Sequence, residues 1–475
     1  MYFPQDIYFG FDQARDAFAT LDILKGDFKL IGPPSAASAN LFPGPLAYYI
    51  YAPIYFLFNK NPEALSAFLR LYNSFGILLV FLIGRNLFNK QVGLISAFLF
   101  AISYEQSQYS LFLSHQALAT LTVLLFYLGF SFVLFKNNPV GLLLTALGLG
   151  LSIQFHYSYI LLVPILVLML LFFRKKFSFD IKYYLFSLLI LLITISSYIL
   201  AEFKFNFKFL NEILLQPQKN ISIHLQTVYS TINRSIHDNL SSVYPQLTLL
   251  MLIVLLIIFS QKYFFKAIFL LLWFIGGLGV YALSGVPSYY YGASSSVSFL
   301  VLAGYISYLV FSRRVFLGII ILSLIIISNT NLITTFNPQG VNKDFIIQPE
   351  MLISREKEVL DFIYQKASGD KFAVSAITVP FNIKTTWDYL FNWYGMQKYH
   401  YLPVWGHEAA EGFYGNLKVE TDRSRLPEKR FLIIEPVVGI RPQLVDQFIK
   451  EENYFSKVIE TKKFGTITVE YRERI

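Results

Sequence analysis

The run ALATLTVLLFYLGFSFVLF, residues 117–135, contains no charged side chain. A soluble core seldom needs so long an apolar run, whereas a bilayer with a hydrocarbon core of about 30 Å needs a helix of about 20 apolar residues. Similar runs recur along the chain, in which 55% of the 475 residues are hydrophobic and 15% are charged. The sequence therefore predicts an all-α polytopic membrane protein.

Hydropathy and length predict about ten transmembrane helices. We place them near residues 66–88, 92–109, 117–135, 139–155, 157–173, 182–201, 244–260, 264–284, 292–311 and 315–330. Basic residues fall at alternate turns between these helices, which the positive-inside rule assigns to the cytoplasm. They are Arg85, Lys90, Lys136, Arg174, Lys175, Lys176, Lys182, Lys262, Lys266, Arg313 and Arg314. The opposite turns and the C-terminal region are therefore expected outside the cytoplasm.

Composition excludes two classes of function. The chain has no cysteine, so it has no disulfide framework and no thiolate for catalysis or zinc binding. Its net charge of +9 would suit nucleic acid, but the basic residues lie largely in short loops between apolar runs. We interpret them as topology signals and expect membrane lipid, and no nucleic acid, around this protein.

The chain divides into three predicted regions. Residues 1–65 form a first extracytoplasmic loop with interfacial helices, since 12–25 has helix-forming composition and the apolar stretch 47–58 is too short to cross a bilayer. Residues 66–333 form the transmembrane domain, with an outer loop at 202–243. Hydropathy falls over residues 334–475, which we predict to be a small C-terminal extracytoplasmic α/β domain. Its helical stretches are 352–367, 384–397 and 441–452, and its β-like runs are 371–378, 430–435 and 465–471.

Unusual polar and aromatic groups gather on the predicted outer face, where an ionisable group at a membrane is costly unless it is used. The first loop contains Asp12, Arg15 and Asp16, and Arg70 lies early in the following helix. Later outer turns add Gln154, His156, Tyr289, Tyr290 and Tyr291.

These residues, in this order and with this sidedness, resemble the GT-C glycosyltransferases. The resemblance is carried by the start Asp12-x-x-Arg15, by the Gly/Pro-rich continuations at 32–34 and 42–45, by Arg70, by Gln154-x-His156 and by the tyrosine-rich turn at 289–291. Within that group the first 330 residues look like the bacterial relatives of protein O-mannosyltransferases and of the lipid A aminoarabinose transferase, a family 39-like set.

The resemblance implies a membrane glycosyltransferase. Such an enzyme takes a sugar from a polyprenyl-phosphate-linked donor and transfers it, usually with inversion, to a lipid, glycan or protein acceptor. It would act on the outer face of a bacterial plasma (inner) membrane, and the first-loop carboxylate that serves as base would be Asp12. Family members normally have a transmembrane helix ahead of this loop and often a second carboxylate beside the base. Gln13 occupies that second place here, and the missing helix is what we expect of a truncated or misassigned start.

The chemistry can also be stated from the residues. An acceptor hydroxyl must lose its proton as it attacks an anomeric carbon, and a positioned carboxylate such as Asp12 contributes roughly 10²–10⁴ in rate. The departing lipid phosphate needs its negative charge neutralised, for which Arg15, Arg70 and His156 are the outer-face candidates. Asp16, Gln154, Tyr289 and Tyr290 complete the predicted substrate-binding set.

Each residue also has an ordinary structural explanation. Asp12 would serve as a helix N-cap, Arg70 would snorkel to lipid headgroups, and the tyrosines would form an interfacial belt. If Glu105 faced Asp12, the two carboxylates could bind a divalent cation, but the sequence supplies no further ligand and we predict no metal and no cofactor. Two other functions stay open, a transporter or flippase of a polyprenyl-linked sugar and a non-catalytic cell-envelope scaffold.

Overall fold

Apolar helices form most of the chain up to residue 341 in this computed structural model, which describes residues 6–34, 40–215, 223–284, 289–292, 295–341, 348 and 350–475. Residues 216–222 of the predicted outer loop 202–243 lie outside the described residues. The α-helices of this part are α1 (Phe11–Leu24), α2 (Leu46–Leu57), α3 (Pro62–Leu87), α4 (Lys90–Ile102), α5 (Tyr104–Leu111), α6 (Ala119–Lys136), α7 (Val140–Phe155), α8 (Leu162–Phe172), α9 (Ile181–Thr194), α10 (Ser196–Lys204), α11 (Lys208–Leu215), α12 (Leu225–His237), α13 (Pro245–Ser284), α14 (Val297–Arg313) and α15 (Val315–Phe336).

Four helices among the described residues are long and apolar enough to cross a membrane. They are Pro62–Leu87, His115–Lys136, Pro245–Leu283 and Val315–Gln339. The pair α9 and α10 would add a fifth span, bent by 54° at its break. Five other apolar helices are shorter than 18 residues. The multi-pass helical architecture is as predicted, but the prediction of about ten spans is not confirmed.

Three predicted spans differ from the structure for local reasons. The span predicted at 92–109 ends early, because Ser103 adopts an extended backbone conformation and its hydroxyl accepts the Gln106 N–H, capping a new helix. The spans predicted at 244–260 and 264–284 are instead continuous in α13, which is interrupted only at Tyr263, where φ is −129° and ψ is 50°.

The helices α6 and α7 pack at very short range. Gly129 and Gly141 face each other across the pair, so closely that a Cβ added to either would overlap the other's carbonyl oxygen. The hydroxyls of Thr122 and Ser152 are 2.9 Å apart in the same contact. Small residues allow this backbone approach, which is a common basis of helix association in membranes.

The first loop lies against the C-terminal end of α7. Its helix α1 begins after Gly10, which is the N-cap, and Gln13 accepts the Gly10 N–H at 3.2 Å. Asp12 therefore lies in the first turn and is not the cap. The turn at 42–45 is fixed by the Gly44 N–H, which donates to the Gln154 carbonyl at the end of α7 at 2.8 Å.

Residues 350–475 contain a mixed sheet covered by helices. Its strands are β1 (Phe372–Ile377), β2 (Val404–Trp405), β3 (Lys429–Ile434), β4 (Ser456–Phe464) and β5 (Ile467–Arg474), in the order β2-β1-β3-β5-β4. The β1–β2 and β1–β3 pairs are parallel, and the β3–β5 and β4–β5 pairs are antiparallel. Its helices are α16 (Ile353–Ala367), α17 (Thr385–Leu390), α18 (Met396–Tyr399) and α19 (Pro442–Phe455), with a π-helical turn at Phe391–Gly395. The small C-terminal α/β unit is as predicted.

The C-terminal unit packs directly on the first loop. Tyr8 forms β-bridges to Phe112 on one side and Leu352 on the other, so the segment before α1 lies between the helices and the sheet unit. The Phe18 ring on α1 contacts the rings of Tyr389 and Tyr414, with centroids 5.5 and 5.7 Å away. The first loop therefore contacts both parts of the molecule.

Candidate active site

The first two turns of α1 place two carboxylates around one arginine. Arg15 Nη1 lies 2.6 Å from Asp12 Oδ1, while Nη2 and Nε lie 2.9 and 3.0 Å from Asp16 Oδ1. Spacings of three and four residues bring side chains to one face of a helix, which explains the cluster. The two acids differ in exposure, since the Asp12 side chain is 61% exposed and that of Asp16 is 7% exposed.

Both carboxylate oxygens of Asp16 have polar partners. Its Oδ1 also accepts the Tyr48 hydroxyl at 3.2 Å, and its Oδ2 lies 3.3 Å from His115 Nδ1. Burial opposes ionisation of this carboxyl, but the charge of Arg15 and the contact with His115 outweigh burial and lower the pKa of Asp16. Asp16 is therefore a stably ionised, inaccessible anion, whereas Asp12 is open to solvent.

His115 brings His156 into the same region. The two imidazole rings are stacked with centroids 6.1 Å apart and planes inclined by 11°. His156 Nδ1 accepts the Ser158 backbone N–H at 3.2 Å, which places its proton on Nε2. Burial and the neighbouring His115 lower the pKa of His156 to about 3. The predicted site histidine is therefore neutral and supplies a hydrogen bond rather than a positive charge.

Tyrosines form a wall beside His156. The ring centroid of His156 lies 4.5 Å from that of Tyr157, 6.2 Å from Tyr290 and 5.5 Å from Tyr291. The Tyr159 hydroxyl donates to the Tyr290 carbonyl. The other predicted tyrosine, Tyr289, contributes its backbone to the short helical turn Tyr289–Gly292, and its side chain lies outside what the structure describes.

Gln154 has a supporting position. It is buried, donates to the Ser197 hydroxyl at 2.7 Å and packs against Gly44, so it supports the first-loop turn. Arg70 is partly buried on α3. Contacts through His115 connect Asp12, Arg15, Asp16, His156 and Tyr290.

A second polar cluster lies around Glu105. Its carboxylate accepts from the Asn239 amide, and its backbone N–H donates to the Asp238 carbonyl at 3.2 Å. Glu105 therefore faces α12 and its C-terminal end, not Asp12, and the two-carboxylate site considered above is not formed. The described residues contain no group of three or more His, Asp or Glu side chains arranged to hold a metal ion.

Two residues of these clusters are not among the site residues predicted from the sequence. One is His115, whose Nδ1 contacts Asp16. Arg234 on α12 places its guanidinium 5.8 Å from the Tyr281 ring centroid and 3.5 Å from the Tyr281 hydroxyl. Helical spacing would have placed Arg234 and His237 on one face of α12, but nothing in the sequence connects that face to Tyr281.

Comparisons with known proteins agree with this architecture. Residues 43–199, about a third of the chain, match the family described as dolichyl-phosphate-mannose-protein mannosyltransferase. That match includes Arg70, His115, Gln154 and His156, but it begins after the Asp12–Asp16 cluster. No curated protein matches the sequence.

Solved structures match over much more of the chain. ArnT from Cupriavidus metallidurans in the apo state superposes with a TM-score of 0.62 at 11% identity, covering 98% of this chain and 94% of ArnT. The same protein bound to undecaprenyl phosphate gives 0.61 at 11% identity with the same coverage. The Archaeoglobus fulgidus oligosaccharyltransferase in complex with Zn and sulfate gives 0.51 at 15% identity, covering 78% of this chain and 56% of that protein. The chain has the GT-C fold, and the likeness extends through the C-terminal unit.

Proposed function

We propose that the chain is a membrane glycosyltransferase that moves a sugar from a polyprenyl-phosphate-linked donor to an acceptor on the outer face of the membrane, with inversion and with Asp12 as base. The observation that carries the proposal is the exposure of the Asp12 carboxylate, which is paired with Arg15. The neighbouring Asp16 is buried, and Arg15, Tyr48 and His115 contact its oxygens. It lies in a fold whose relative ArnT is found with undecaprenyl phosphate. The sequence match to the mannosyltransferase family supports the same class of donor.

The reaction follows from the different exposure of the two carboxylates. An acceptor hydroxyl attacks the anomeric carbon while its proton passes to Asp12, and the bond from that carbon to the phosphate oxygen breaks with its electron pair remaining on the phosphate. Because Asp12 is exposed, an acceptor can reach it and its proton can return to solvent. Asp16 lacks this access, since Arg15, Tyr48 and His115 surround its oxygens.

The leaving lipid phosphate would be met by donors rather than by a metal. Arg15 is shared between two carboxylates, so it offers little net charge. Arg70 on α3 and Arg234 on α12 are the other candidate cations. His156 offers Nε2–H, and Tyr290 lies beside it. We assign the phosphate to Arg70 or Arg234, because a guanidinium pairs with phosphate through two parallel hydrogen bonds.

The reaction is tested with the full-length chain in nanodiscs and a panel of undecaprenyl-phosphate-linked hexoses and pentoses, by measuring release of undecaprenyl phosphate. We expect the wild-type chain to cleave at least one donor and Asp12→Asn to lower the rate by roughly 10²–10⁴. Asp27→Asn is the matched control, because Asp27 is 66% exposed and also paired with a cation, Lys29. Release from none of the donors, or donor movement across the bilayer without cleavage, would overturn the proposal in favour of a scaffold or a flippase.

The sidedness requires a separate test. We propose that the Asp12 cluster and residues 334–475 lie outside the cytoplasm of a bacterial cell, because the basic loops alternate along the sequence. A phosphatase fused after Ile475 should be active, and a reporter that works only in the cytoplasm should be inactive at the same place. The reverse pattern would refute the assignment.

A further inference from the structure

Arg15 holds both carboxylates of α1 with separate nitrogen atoms. Its Nη1 serves Asp12 alone, while Nε and Nη2 both serve one oxygen of Asp16. The exposed carboxylate therefore has one described polar contact, and that contact is fixed from the buried side. We propose that Asp16 and His115 are positioning residues, which hold Arg15 and through it orient Asp12; this inference rests on the proposed function.

Asp16 is fixed by three separate elements. Arg15 reaches it from α1, Tyr48 from α2, and His115 from the turn before α6. The turn that carries His115 is itself tied to both first-loop helices. Gln13 donates to the Leu113 carbonyl at 3.2 Å, and Tyr51 donates to the Ser114 carbonyl at 2.7 Å. The position of Asp16 is thus set by the helix bundle and not by α1 alone.

This arrangement matters because an exposed base is otherwise free to rotate. The two bonds from Arg15 to Asp16 already remove much of the rotamer freedom of the arginine side chain. A displacement of about 1 Å at a reacting group costs about 100-fold in rate. Holding Arg15 in one rotamer therefore keeps Asp12 in the orientation that an acceptor hydroxyl meets.

A purely structural role is a weaker explanation. Buried ion pairs often contribute little to stability, because the loss of hydration offsets their attraction. Here the buried Asp16 is paired with the partly exposed Arg15, which also binds the exposed carboxylate of Asp12. The side chains that contact Asp16 are those of Arg15, Tyr48 and His115, and the neutral His156 ring lies behind His115.

The test compares variants of the full-length chain with whichever donor the wild type cleaves. We expect Asp16→Asn and Arg15→Lys to lower kcat by about 100-fold with little change in KM for the donor, because the base is displaced while donor contacts remain. Arg15→Lys is informative since an ammonium keeps the charge but lacks the fork that spans two carboxylates.

His115 provides the matched control. In His115→Asn the side-chain amide occupies the place of Nδ1 and can still donate to Asp16, so kcat should stay close to the wild-type value. In His115→Gln the amide occupies the place of Nε2, and kcat should fall as it does in His115→Ala. A general packing defect would make Asn and Gln similar, and it would change the thermal unfolding temperature rather than kcat alone.

The outcomes separate the two proposals. Full activity of Asp12→Asn would remove the base and the proposed mechanism. An inactive Asp12→Asn with wild-type kcat in Asp16→Asn and His115→Gln would keep the mechanism and overturn the positioning role. If Asp16→Asn does not fold, the His115 pair decides, and equal kcat in its Asn and Gln forms would overturn the inference. A double variant Asp16→Asn/His115→Ala should lose no more than either single variant, because both act through one contact.

Discussion

Raising the pH from 4.5 to 8 should loosen the C-terminal unit, because a fully buried glutamate lies at its centre. Glu435 is 2% exposed and accepts hydrogen bonds from Trp387 Nε1 at 2.8 Å, Gln348 Nε2 at 2.7 Å and the Val379 N–H at 2.8 Å. Burial disfavours the charged carboxylate by more than these three donors favour it, and the pKa of Glu435 is raised to about 7.

A second buried acid adds to the effect. Glu356 on α16 is fully buried, and neither of its oxygens has a hydrogen-bond partner among the described residues. Burial first, and then the nearby carboxylates of Glu435 and Asp6, raise the pKa of Glu356 well above its ordinary value. Glu435 directly follows β3, Glu356 lies on α16 and Asp6 lies in the segment before α1. Titration of these acids therefore acts on the contact between the C-terminal unit and the first loop.

The size and sign follow from linkage. A folded-state pKa above the unfolded value means that the folded chain binds the extra proton, so stability is greatest below pH 4.5 and falls as the pH rises towards 7. A change from 4.5 to about 7 corresponds to about 3 kcal/mol, since each tenfold change in proton affinity is about 1.4 kcal/mol. For a unit of this size that is a fall of about 10 °C in unfolding temperature.

Tryptophan fluorescence can follow this unfolding. Three of the four tryptophans, Trp387, Trp393 and Trp405, lie in the C-terminal unit, and Trp387 donates directly to Glu435. Replacing Trp273 of α13 by Phe leaves only these reporters. Thermal unfolding in detergent at pH 4.5, 6, 7 and 8 should show the fall in the wild-type chain, with most of it between pH 5 and 7.

Glutamine variants supply the decisive comparison. Glu435→Gln cannot titrate, so its unfolding temperature should vary much less with pH, although its amide meets the Trp387 N–H unfavourably and lowers stability at every pH. Glu428→Gln, at an exposed position just before β3, should behave as the wild type. An unfolding temperature that is flat from pH 4.5 to 8 in the wild-type chain, or an equal slope in Glu435→Gln, would refute the reasoning.

Two further predictions concern Phe413 and Gly44. Phe413 is 47% exposed, and its ring contacts that of Phe11 edge-on, with centroids 5.9 Å apart, at the first residue of α1. Phe413→Ala should therefore weaken acceptor binding by about fivefold, or about 1 kcal/mol, with donor binding unchanged. The KM for the acceptor measures this, and an unchanged KM would show that Phe413 does not contact the acceptor. Gly44→Ala should destabilise the chain by about 1–3 kcal/mol, because the added methyl would overlap Gln154. Its unfolding temperature is compared with that of Gly279→Ala, where a Cβ meets only ordinary contacts at 3.4 Å, and equal values would contradict the steric argument.

Local pattern was sufficient for several elements. The helix predicted at 12–25 is found at Phe11–Leu24, and the β-like runs at 371–378, 430–435 and 465–471 overlap β1, β3 and β5. Each of these segments is bounded by turn residues, and its apolar residues recur at the period of a helix or of a strand. The strand β4 was missed because it lies at the edge of the sheet and most of its side chains are exposed, so it lacks that apolar alternation.

The site was less accessible to sequence reasoning. Asp12 and Asp16 look alike in sequence, and their different exposure depends on Tyr48 and His115, of which His115 is 99 residues away from Asp16. The break at Ser103 lies inside the predicted span 92–109, although the following sequence YEQSQYSL of α5 is largely polar. Contacts between distant segments, not local composition, decide which of two acids is buried.

The close approach of α6 and α7 has a consequence far from where it occurs. His115 lies one short turn before α6, and His156 directly follows α7, so the separation of the two imidazoles depends on the angle between these helices. That angle is limited by Gly129 and Gly141, about 20 Å away along the helix axes. An extra methyl group at this contact would therefore change the separation of the two histidine rings at the other end of the helix pair. Substitutions at Gly129 or Gly141 would thus alter the candidate site without replacing any side chain in it.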